Sequence, residues 1–188
     1  MHTKIRVYHE RELRCQALTN SKMRFLNVQT IGLSGRPHSA LQGILTTRDT
    51  IKLRSHLQLL CCDLLTGEII AKEQGGDPSC RLCDAPFENT EHLITSCSPL
   101  SHIRERLLPE LLNVVIDIAP NCKLLLDPYS EHLTQFLLDC TSLNLPNDYR
   151  LSPTHKDISK VFKVSRDWCF ALTRERSRLL SAKQRSTV

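Results

Sequence analysis

The motif that organises this sequence is Cys80-Arg81-Leu82-Cys83, followed by His92 and Cys97. Two residues separate the first pair of cysteines, eight separate Cys83 from His92, and four separate His92 from Cys97. A two-residue gap lets a tight turn aim both sulfurs at one point, and the later pair arrives from a second segment. Three thiolates and one imidazole are ligands that Zn²⁺ takes in a tetrahedral arrangement. The sequence therefore predicts a zinc site at these four residues.

The predicted site leaves no coordination position for a catalytic water, because protein side chains fill all four places around the metal. A closed site of this kind is structural rather than hydrolytic. Three thiolates and one divalent cation also sum to a net negative charge. The metal centre itself should therefore not attract phosphate, and any contact with nucleic acid must come from the residues that flank it.

Two other interpretations of the cysteines stay open. The sequence holds nine cysteines, so three of them can fall close to a histidine by chance. Cys80 and Cys83 could instead form a redox disulfide, but that motif normally lies beside a βαβ pattern, which this sequence lacks. The turn-forming residues Asp84 and Pro86, between the two halves of the motif, favour the metal site.

Composition limits the class of protein and its compartment. The 188 residues suffice for one domain or slightly more, and an aromatic content of 5% predicts a core of Leu, Ile and Val. The sequence contains no apolar run long enough to cross a membrane, and its charged N-terminus lacks the apolar segment of a signal peptide. Together with the odd number of cysteines, these features predict a reducing intracellular compartment, the nucleus or the cytoplasm.

Charge is distributed unevenly along the chain, whose formal net charge is +5. Residues 1–60 carry ten Lys and Arg against three Asp and Glu, and residues 150–188 carry the same numbers. Residues 61–149 carry five Lys and Arg against fourteen Asp and Glu. The basic ends can bind a polyanion such as RNA or DNA, pair with the acidic middle, or form ordinary solvated helix faces.

The apolar pattern predicts a mainly α-helical fold, organised as a small irregular domain around the zinc knuckle at 80–97. A weakly amphipathic helix over 4–18 and a Gly-rich linker make up residues 1–45. Residues 46–188 form the predicted helical zinc-binding domain.

The first helix of the zinc-binding domain is predicted over 48–65. Thr46 or Thr47 can cap its N-terminus, and Gly67 lies where a C-terminal stop is expected. Its leucines recur at helical spacing and would line one face: Leu53, Leu57, Leu60 and Leu64.

The second half of the metal site requires a short helix that ends early. A helix carrying His92 is predicted to begin at Asn89 or Thr90. Five residues of ideal α-helix rotate by about 500°, so His92 and Cys97 would not share a face of one. We therefore expect the helix to end before Cys97 or Cys97 to lie on the turn after it, with Ser98-Pro99 beginning the next helix.

Two more amphipathic helices are predicted before the last one. The first runs from Ser98 towards Pro120, with a restart or a kink at Pro109. The second is capped by Ser130 and turns its apolar residues inward: Leu133, Phe136, Leu137 and Cys140.

The longest predicted helix spans about 157–182. Its apolar stripe includes Trp168, which we interpret as a core anchor rather than a base-stacking residue. The stripe consists of Ile158, Val161, Phe162, Ser165, Trp168, Cys169, Leu172 and Leu179. Basic residues on the other positions and the tail are the candidate nucleic-acid contacts: Arg166, Arg174, Arg176, Arg178, Lys183 and Arg185.

From about residue 30 onward, the sequence resembles the C-terminal segment of non-LTR (LINE-type) retrotransposon polyproteins, downstream of the reverse transcriptase domain. The resemblance is carried by RPHSALQGILTTRDTIKLRSHLQLL, CRLCDAPFENTEHLITSCSPLSHIRERLLPELL, LTQFLLDCTSLNLP and ISKVFKVSRDWCFALTRERSRLL. It implies that the chain is a segment or a remnant of such a polyprotein, with a reverse transcriptase domain as its neighbour. The zinc ligands of that family correspond to Cys80, Cys83, His92 and Cys97.

The catalytic motifs of the parent polyprotein are missing from this sequence. Polymerase chemistry needs clustered carboxylates that hold two metal ions, and the sequence has no adjacent Asp-Asp pair. Some related elements place a restriction-type nuclease after a similar cluster, but the Glu-x-Lys or Asp-x-Lys of such a nuclease is also missing. The sequence therefore predicts a protein without enzymatic activity.

Two non-enzymatic functions follow from these observations. In the first, a zinc-binding module helps to position nucleic acid for an adjacent reverse transcriptase, with Arg and Lys contacting phosphates. In the alternative, zinc only stabilises a helical structural or protein-interaction module, and the basic ends pair with the acidic middle.

Overall fold

Helices account for most of the described chain. The computed structural model describes residues 12, 15–16, 18–27, 41, 46–118, 131–142 and 155–186, and no strand occurs among them. The α-helices with described boundaries are α1 (Thr47–Leu60), α2 (Gly67–Gln74), α3 (Ser101–Ile118), α4 (Glu131–Asp139) and α5 (His155–Ser186). The predicted mainly α-helical fold with a long C-terminal helix is confirmed. Among these helices, none combines the length and the apolar character needed to cross a membrane.

Helix α1 begins where the sequence predicts and ends earlier. Thr46 is its N-cap: the Asp49 N–H donates to Thr46 Oγ1 at 3.1 Å, and the Thr46 N–H donates to Asp49 Oδ2 at 3.1 Å. This reciprocal capping box satisfies donors that a helix start otherwise leaves unpaired. The helix stops at Leu60, and Cys62 then takes a positive φ of 47° that turns the chain away from the helix axis. The predicted end near residue 65 is therefore wrong.

Gly67 begins helix α2 instead of terminating α1, so its predicted role as a C-terminal stop is also wrong. A Cβ built at Gly67 would lie 2.4 Å from the carbonyl oxygen of Pro78 and 2.7 Å from that of Ser79. The chain that enters the metal knuckle thus passes directly over the first residue of α2. Only a residue without a side chain leaves room for that approach.

Helix α5 is the element on which the others pack. It contacts α1, α3 and α4, and it spans 32 residues, slightly more than predicted. Its apolar stripe is buried as expected, with Trp168 1% exposed in the core. The other fully buried members are Val161, Phe162, Ser165, Cys169 and Leu172, while Ile158 and Leu179 are half-buried.

The four residues predicted to face inward in the helix after Ser130 are all buried in the structure. Three of them lie in α4, and the fourth, Cys140, begins the 3₁₀ turn Cys140–Ser142 after it; the four residues are Leu133, Phe136, Leu137 and Cys140. Helix α3 follows a short 3₁₀ turn at Ser98–Leu100 and continues through Pro109 rather than restarting there. Its buried residues Ile103, Leu111 and Val115 face the same core.

A short N-terminal segment packs on α4, which the sequence did not suggest. Phe25 is 6% exposed, and its carbonyl accepts a hydrogen bond from Gln135 Nε2 at 2.8 Å. The Asn27 N–H donates to Asp139 Oδ2 at 2.8 Å. The predicted helix over 4–18 and the linker over 31–43 fall mostly outside the described residues, as do Ser130 and residues 143–154. The boundary near residue 45 stays a prediction.

Gly67 provides a stability test of the contact between α2 and the knuckle. We expect Gly67→Ala to destabilise the fold by about 1–3 kcal/mol, because the new Cβ overlaps backbone carbonyls that have little freedom to move. Gly76→Ala is the comparison: the atom closest to its Cβ is the Cγ2 methyl of Ile70, at 2.8 Å, which is a side-chain atom rather than a backbone carbonyl. Urea unfolding of both variants measures the difference, and equal stabilities would contradict the close approach at Gly67.

Candidate metal centre

Four side chains from two segments converge on one point. The ligand atoms of Cys80, Cys83, His92 and Cys97 all lie within 4.8 Å of one another. Cys80 Sγ is 3.9 Å from Cys97 Sγ, and Cys83 Sγ is 3.3 Å from His92 Nε2. A tetrahedral zinc ion with bonds of about 2.3 Å to sulfur would separate two sulfurs by about 3.8 Å. The four residues therefore form a group that could hold a tetrahedral metal ion, as their spacing predicts.

The first pair of cysteines lies on a tight reverse turn. The Cys80 N–H donates to the Ala85 carbonyl at 2.8 Å, and the Asp84 N–H donates to the Cys80 carbonyl at 2.8 Å. Asp84 has a positive φ of 57°, a conformation that aspartate tolerates better than most residues. This turn places the sulfurs of Cys80 and Cys83 on the same side of the backbone.

The second pair lies on a helical turn that is wider than an α-helix. The His92 N–H donates to Asn89 Oδ1 at 2.8 Å, which starts the turn at the predicted place. Residues His92–Ser96 form a π-helical turn, and the Cys97 N–H donates to the His92 carbonyl at 2.8 Å. This bond spans five residues, so it brings the two ligands closer to one face than an α-helix would. Cys97 itself is extended and follows the helix, as the sequence predicts.

Burial makes the thiols of Cys80 and Cys97 hard to ionise. Cys80 and Cys97 are fully buried, while Cys83 and His92 are half-buried. Burial raises the pKa of the Cys80 and Cys97 thiols, and the neighbouring sulfurs of Cys80 and Cys83 raise that of Cys97 further. Burial also lowers the pKa of His92. Three thiolates this close together need a bound cation to balance their charge, and a neutral imidazole is ready to coordinate one.

A buried ion pair lies directly beside the cluster. The Glu88 carboxylate is fully buried and accepts two hydrogen bonds from Arg176, from Nε at 2.8 Å and from Nη2 at 2.9 Å. It also accepts the Gly67 N–H at 2.8 Å, and its Oε1 lies 3.9 Å from Cys80 Sγ. Arg176 Nη2 donates further to the Leu65 carbonyl at 3.0 Å. One carboxylate thus connects the knuckle, the start of α2 and the long helix α5.

The Arg176 guanidinium keeps Glu88 charged in this interior position. Burial alone would raise the pKa of Glu88, but the hydrogen bonds and charge of Arg176, with the Gly67 N–H, lower it below its ordinary value. Glu88 was not among the residues singled out in the sequence. The sequence does indicate that its partner Arg176 is buried, because Arg176 follows Leu172 by four residues and so continues the apolar stripe of α5.

Two of the six candidate nucleic-acid contacts are buried, which corrects their assignment. Arg176 is 6% exposed and paired with Glu88, and Arg166 is 5% exposed. Burial lowers the pKa of Arg166, and the nearby Asp49 and Asp167 carboxylates oppose that shift. Both guanidiniums serve the interior of the fold and cannot reach a phosphate outside it.

The other four candidate contacts are exposed along the C-terminal half of α5: Arg174, Arg178, Lys183 and Arg185. Arg178 pairs with Glu175 at 2.7 Å. Lys183 Nζ donates to the Arg81 carbonyl at 2.8 Å, so the end of α5 lies against the knuckle turn. Exposure leaves these side chains accessible to an anionic partner, although Arg178 and Lys183 already have protein partners.

Comparison of the chain with protein-family models, with curated proteins and with solved structures finds no match. The resemblance to retrotransposon polyproteins therefore stays a prediction from the sequence. What the structure adds is the geometry of the Cys₃His group and of the ion pair beside it.

The Glu88–Arg176 pair can be tested against a surface pair on the same helix. We expect Arg176→Met to lower stability by about 3–5 kcal/mol, because it leaves the Glu88 carboxylate buried without a counter-charge. Arg178→Met breaks the exposed pair with Glu175 and should cost less than about 1 kcal/mol. Chemical unfolding of the two variants supplies the comparison.

A double variant distinguishes the stability lost through the unpaired charge from the stability lost through packing. Adding Glu88→Gln to Arg176→Met removes the unpaired carboxylate and should recover part of the lost stability. If Arg176→Met proved as mild as Arg178→Met, the buried pair would not be the connection between α5 and the knuckle.

Proposed function

We propose that this chain is a non-catalytic zinc-binding module that binds nucleic acid, and that it acts beside a reverse transcriptase domain in a longer retrotransposon polyprotein or is a remnant of such a segment. The observation that carries the proposal is the convergence of Cys80, Cys83, His92 and Cys97 within 4.8 Å. The sequence resemblance supplies the biological context, and the exposed basic residues of α5 supply the contact with nucleic acid.

Zinc is the metal that this set of ligands suits best. Thiolates favour zinc, copper(I) or iron–sulfur chemistry, and an imidazole in place of one thiolate at tetrahedral spacing favours zinc. Cys80 and Cys97 are fully buried, and protein supplies all four ligands, so the metal would serve the fold. The module has no catalytic role in this proposal.

Nucleic acid is the partner that the exposed charges of α5 support. Arg174, Lys183 and Arg185 lie on the surface of a helix whose other face is buried. Such side chains neutralise phosphates and release counter-ions, which gives binding that depends on charge rather than on base sequence. The metal centre, with three thiolates, contributes no positive charge to this surface.

Several basic side chains of α5 already bind acceptors of the same molecule, and this favours one alternative function. Arg176, Arg178 and Lys183 all contact protein acceptors. In this alternative the chain is a zinc-stabilised structural or protein-interaction module without affinity for nucleic acid. The two functions differ in one measurable property, which is binding to RNA or DNA at low salt.

Metal content tests the first half of the proposal. Elemental analysis of the purified chain should find one zinc per molecule, and chelation should reduce the helical circular dichroism signal, because the metal holds the knuckle against α5. We expect Cys83→Ser and His92→Ala to lose the zinc. Cys61→Ser, at a half-buried cysteine outside the cluster, should retain it. Absence of zinc from the unmodified chain after growth with zinc would reject the metal site.

Salt dependence tests the second half of the proposal, which is the binding of nucleic acid. Fluorescence anisotropy with labelled single-stranded RNA or DNA should show affinity that falls steeply as salt rises, since each neutralised phosphate contributes about 0.7 to the slope of log affinity against log salt. An affinity that is independent of salt would mean that phosphate contacts do not drive binding. No binding even at low salt would select the structural alternative.

A further inference from the structure

An open groove lies between α1, α3 and α5, on the surface of the described chain. Its volume of about 530 Å³ falls in the range of ligand-binding clefts. Five cations and three carboxylates line it, for a formal net charge of +2. The cations come from three helices that are distant in sequence: Arg48 and Lys52, Arg106, and Arg174 and Arg178.

Two of the groove cations are already neutralised by protein. Lys52 forms an ion pair with Asp167, and Arg178 forms one with Glu175 at 2.7 Å. These pairs use two of the three carboxylates and leave Glu110 as the remaining acid of the groove. The groove therefore keeps a positive surface after its internal pairs are counted.

Three arginines supply that positive surface. Arg48, Arg106 and Arg174 are all exposed, and within the described parts of the chain none of their side chains forms a hydrogen bond or an ion pair of 4 Å or less. The hydrogen bond from Arg178, its direct partner, lowers the pKa of the Glu175 carboxyl, and the charge of Arg106 lowers it further from a greater distance. Arg48 lies in the first turn of α1, where the helix dipole disfavours a cation and attracts an anion. An external phosphate would neutralise the Arg48 guanidinium at the positive end of this dipole.

Between the charged residues, the groove has an apolar lining. Leu107 and Phe170 are half-buried, and Ile103 is buried beneath them. A ligand that fits this surface carries negative charge along its length and also presents flat apolar faces. Unpaired nucleotides have both properties, because phosphates alternate with bases whose faces stack on aromatic and apolar side chains.

We propose that this groove is the surface on which the chain binds single-stranded nucleic acid, with Arg48, Arg106 and Arg174 as its phosphate contacts. The inference rests on the proposed function and assigns it to a particular site. A concave surface with an apolar lining suits a flexible strand, whereas duplex recognition commonly inserts a protruding helix into the major groove. Of the residues predicted from the sequence, the groove includes only Arg174 and Arg178.

The test uses a charge-matched pair of triple variants in the full, zinc-loaded chain. The groove variant carries Arg48→Gln, Arg106→Gln and Arg174→Gln. The control variant carries Arg24→Gln, Arg54→Gln and Lys72→Gln, three exposed cations that do not line the groove. Zinc content and melting temperature verify that both fold. The probe is a labelled single strand of about 20 nucleotides, longer than the site of one small binding domain.

We expect the groove variant to bind about tenfold more weakly, with its salt slope reduced by about 2, because three phosphate contacts are lost. The control variant should keep both the affinity and the slope of the unmodified chain. If the unmodified chain binds the strand and both variants match it, the groove assignment is overturned while the nucleic-acid function stands. If the unmodified chain binds no strand at low salt, both proposals fall.

Two competitors define the chemistry of the ligand. An unlabelled duplex of the same length should displace the probe poorly, and polyglutamate of matched charge should displace it least, because it presents no flat bases to the apolar lining. Equal competition by polyglutamate would identify an acidic protein segment as the partner. Equal competition by the duplex would show that binding does not require unpaired bases. Either result overturns the proposal.

Discussion

The ion pair between Glu88 and Arg176 is the interaction on which the rest of this structure depends. Glu88 comes from the knuckle, Arg176 comes from the long helix α5, and the Gly67 N–H at the start of α2 donates to the same carboxylate. The pair is buried and bidentate, so its geometry is specific. Loss of either partner would lower the stability of the fold, because it would leave the other charge buried without a counter-charge. The four side chains of the Cys₃His group lie beside it, with Cys80 Sγ 3.9 Å from the carboxylate. The Cys₃His group is thus joined to α5 by this buried ion pair, and Lys183 adds an exposed contact at the Arg81 carbonyl.

The separation of charge within the molecule follows from this arrangement. The cluster concentrates three sulfurs and a carboxylate in one place, where Arg176 balances the carboxylate and a metal ion, if bound, would balance the sulfurs. The exposed arginines that are not used in this way lie on another surface, in the groove between α1, α3 and α5. In our proposals the metal centre serves the fold and the groove serves the partner. This division agrees with a closed coordination shell, which leaves the metal no direct contact with a ligand from solution.

Much of the fold could be predicted from the sequence, because it follows from local patterns. The stripe of α5, the inward residues of α4 and the cap at Thr46 rest on helical periodicity or on one side chain reaching its nearest backbone N–H. The ligand set could be predicted because its spacing is local in two short segments. The role of Gly67 could not, since the atoms that exclude a Cβ belong to Pro78 and Ser79, and their approach is decided by packing. The π-helical turn at His92 also escaped prediction, because it depends on where the two ligands must meet.

The sequence by itself determined most of the helices, their buried faces and the four residues of the Cys₃His group, because each of these depends on residues that are near neighbours in the chain. Only the tertiary structure decided which arginines are accessible. Arg166 is buried near Asp49 of α1 and Arg176 is buried against Glu88 of the knuckle. By contrast, Arg48 and Arg106 join Arg174 at one groove. The physical reason is that a charge acts through its distance to other charges and its exposure to water, and both are set by how distant segments pack.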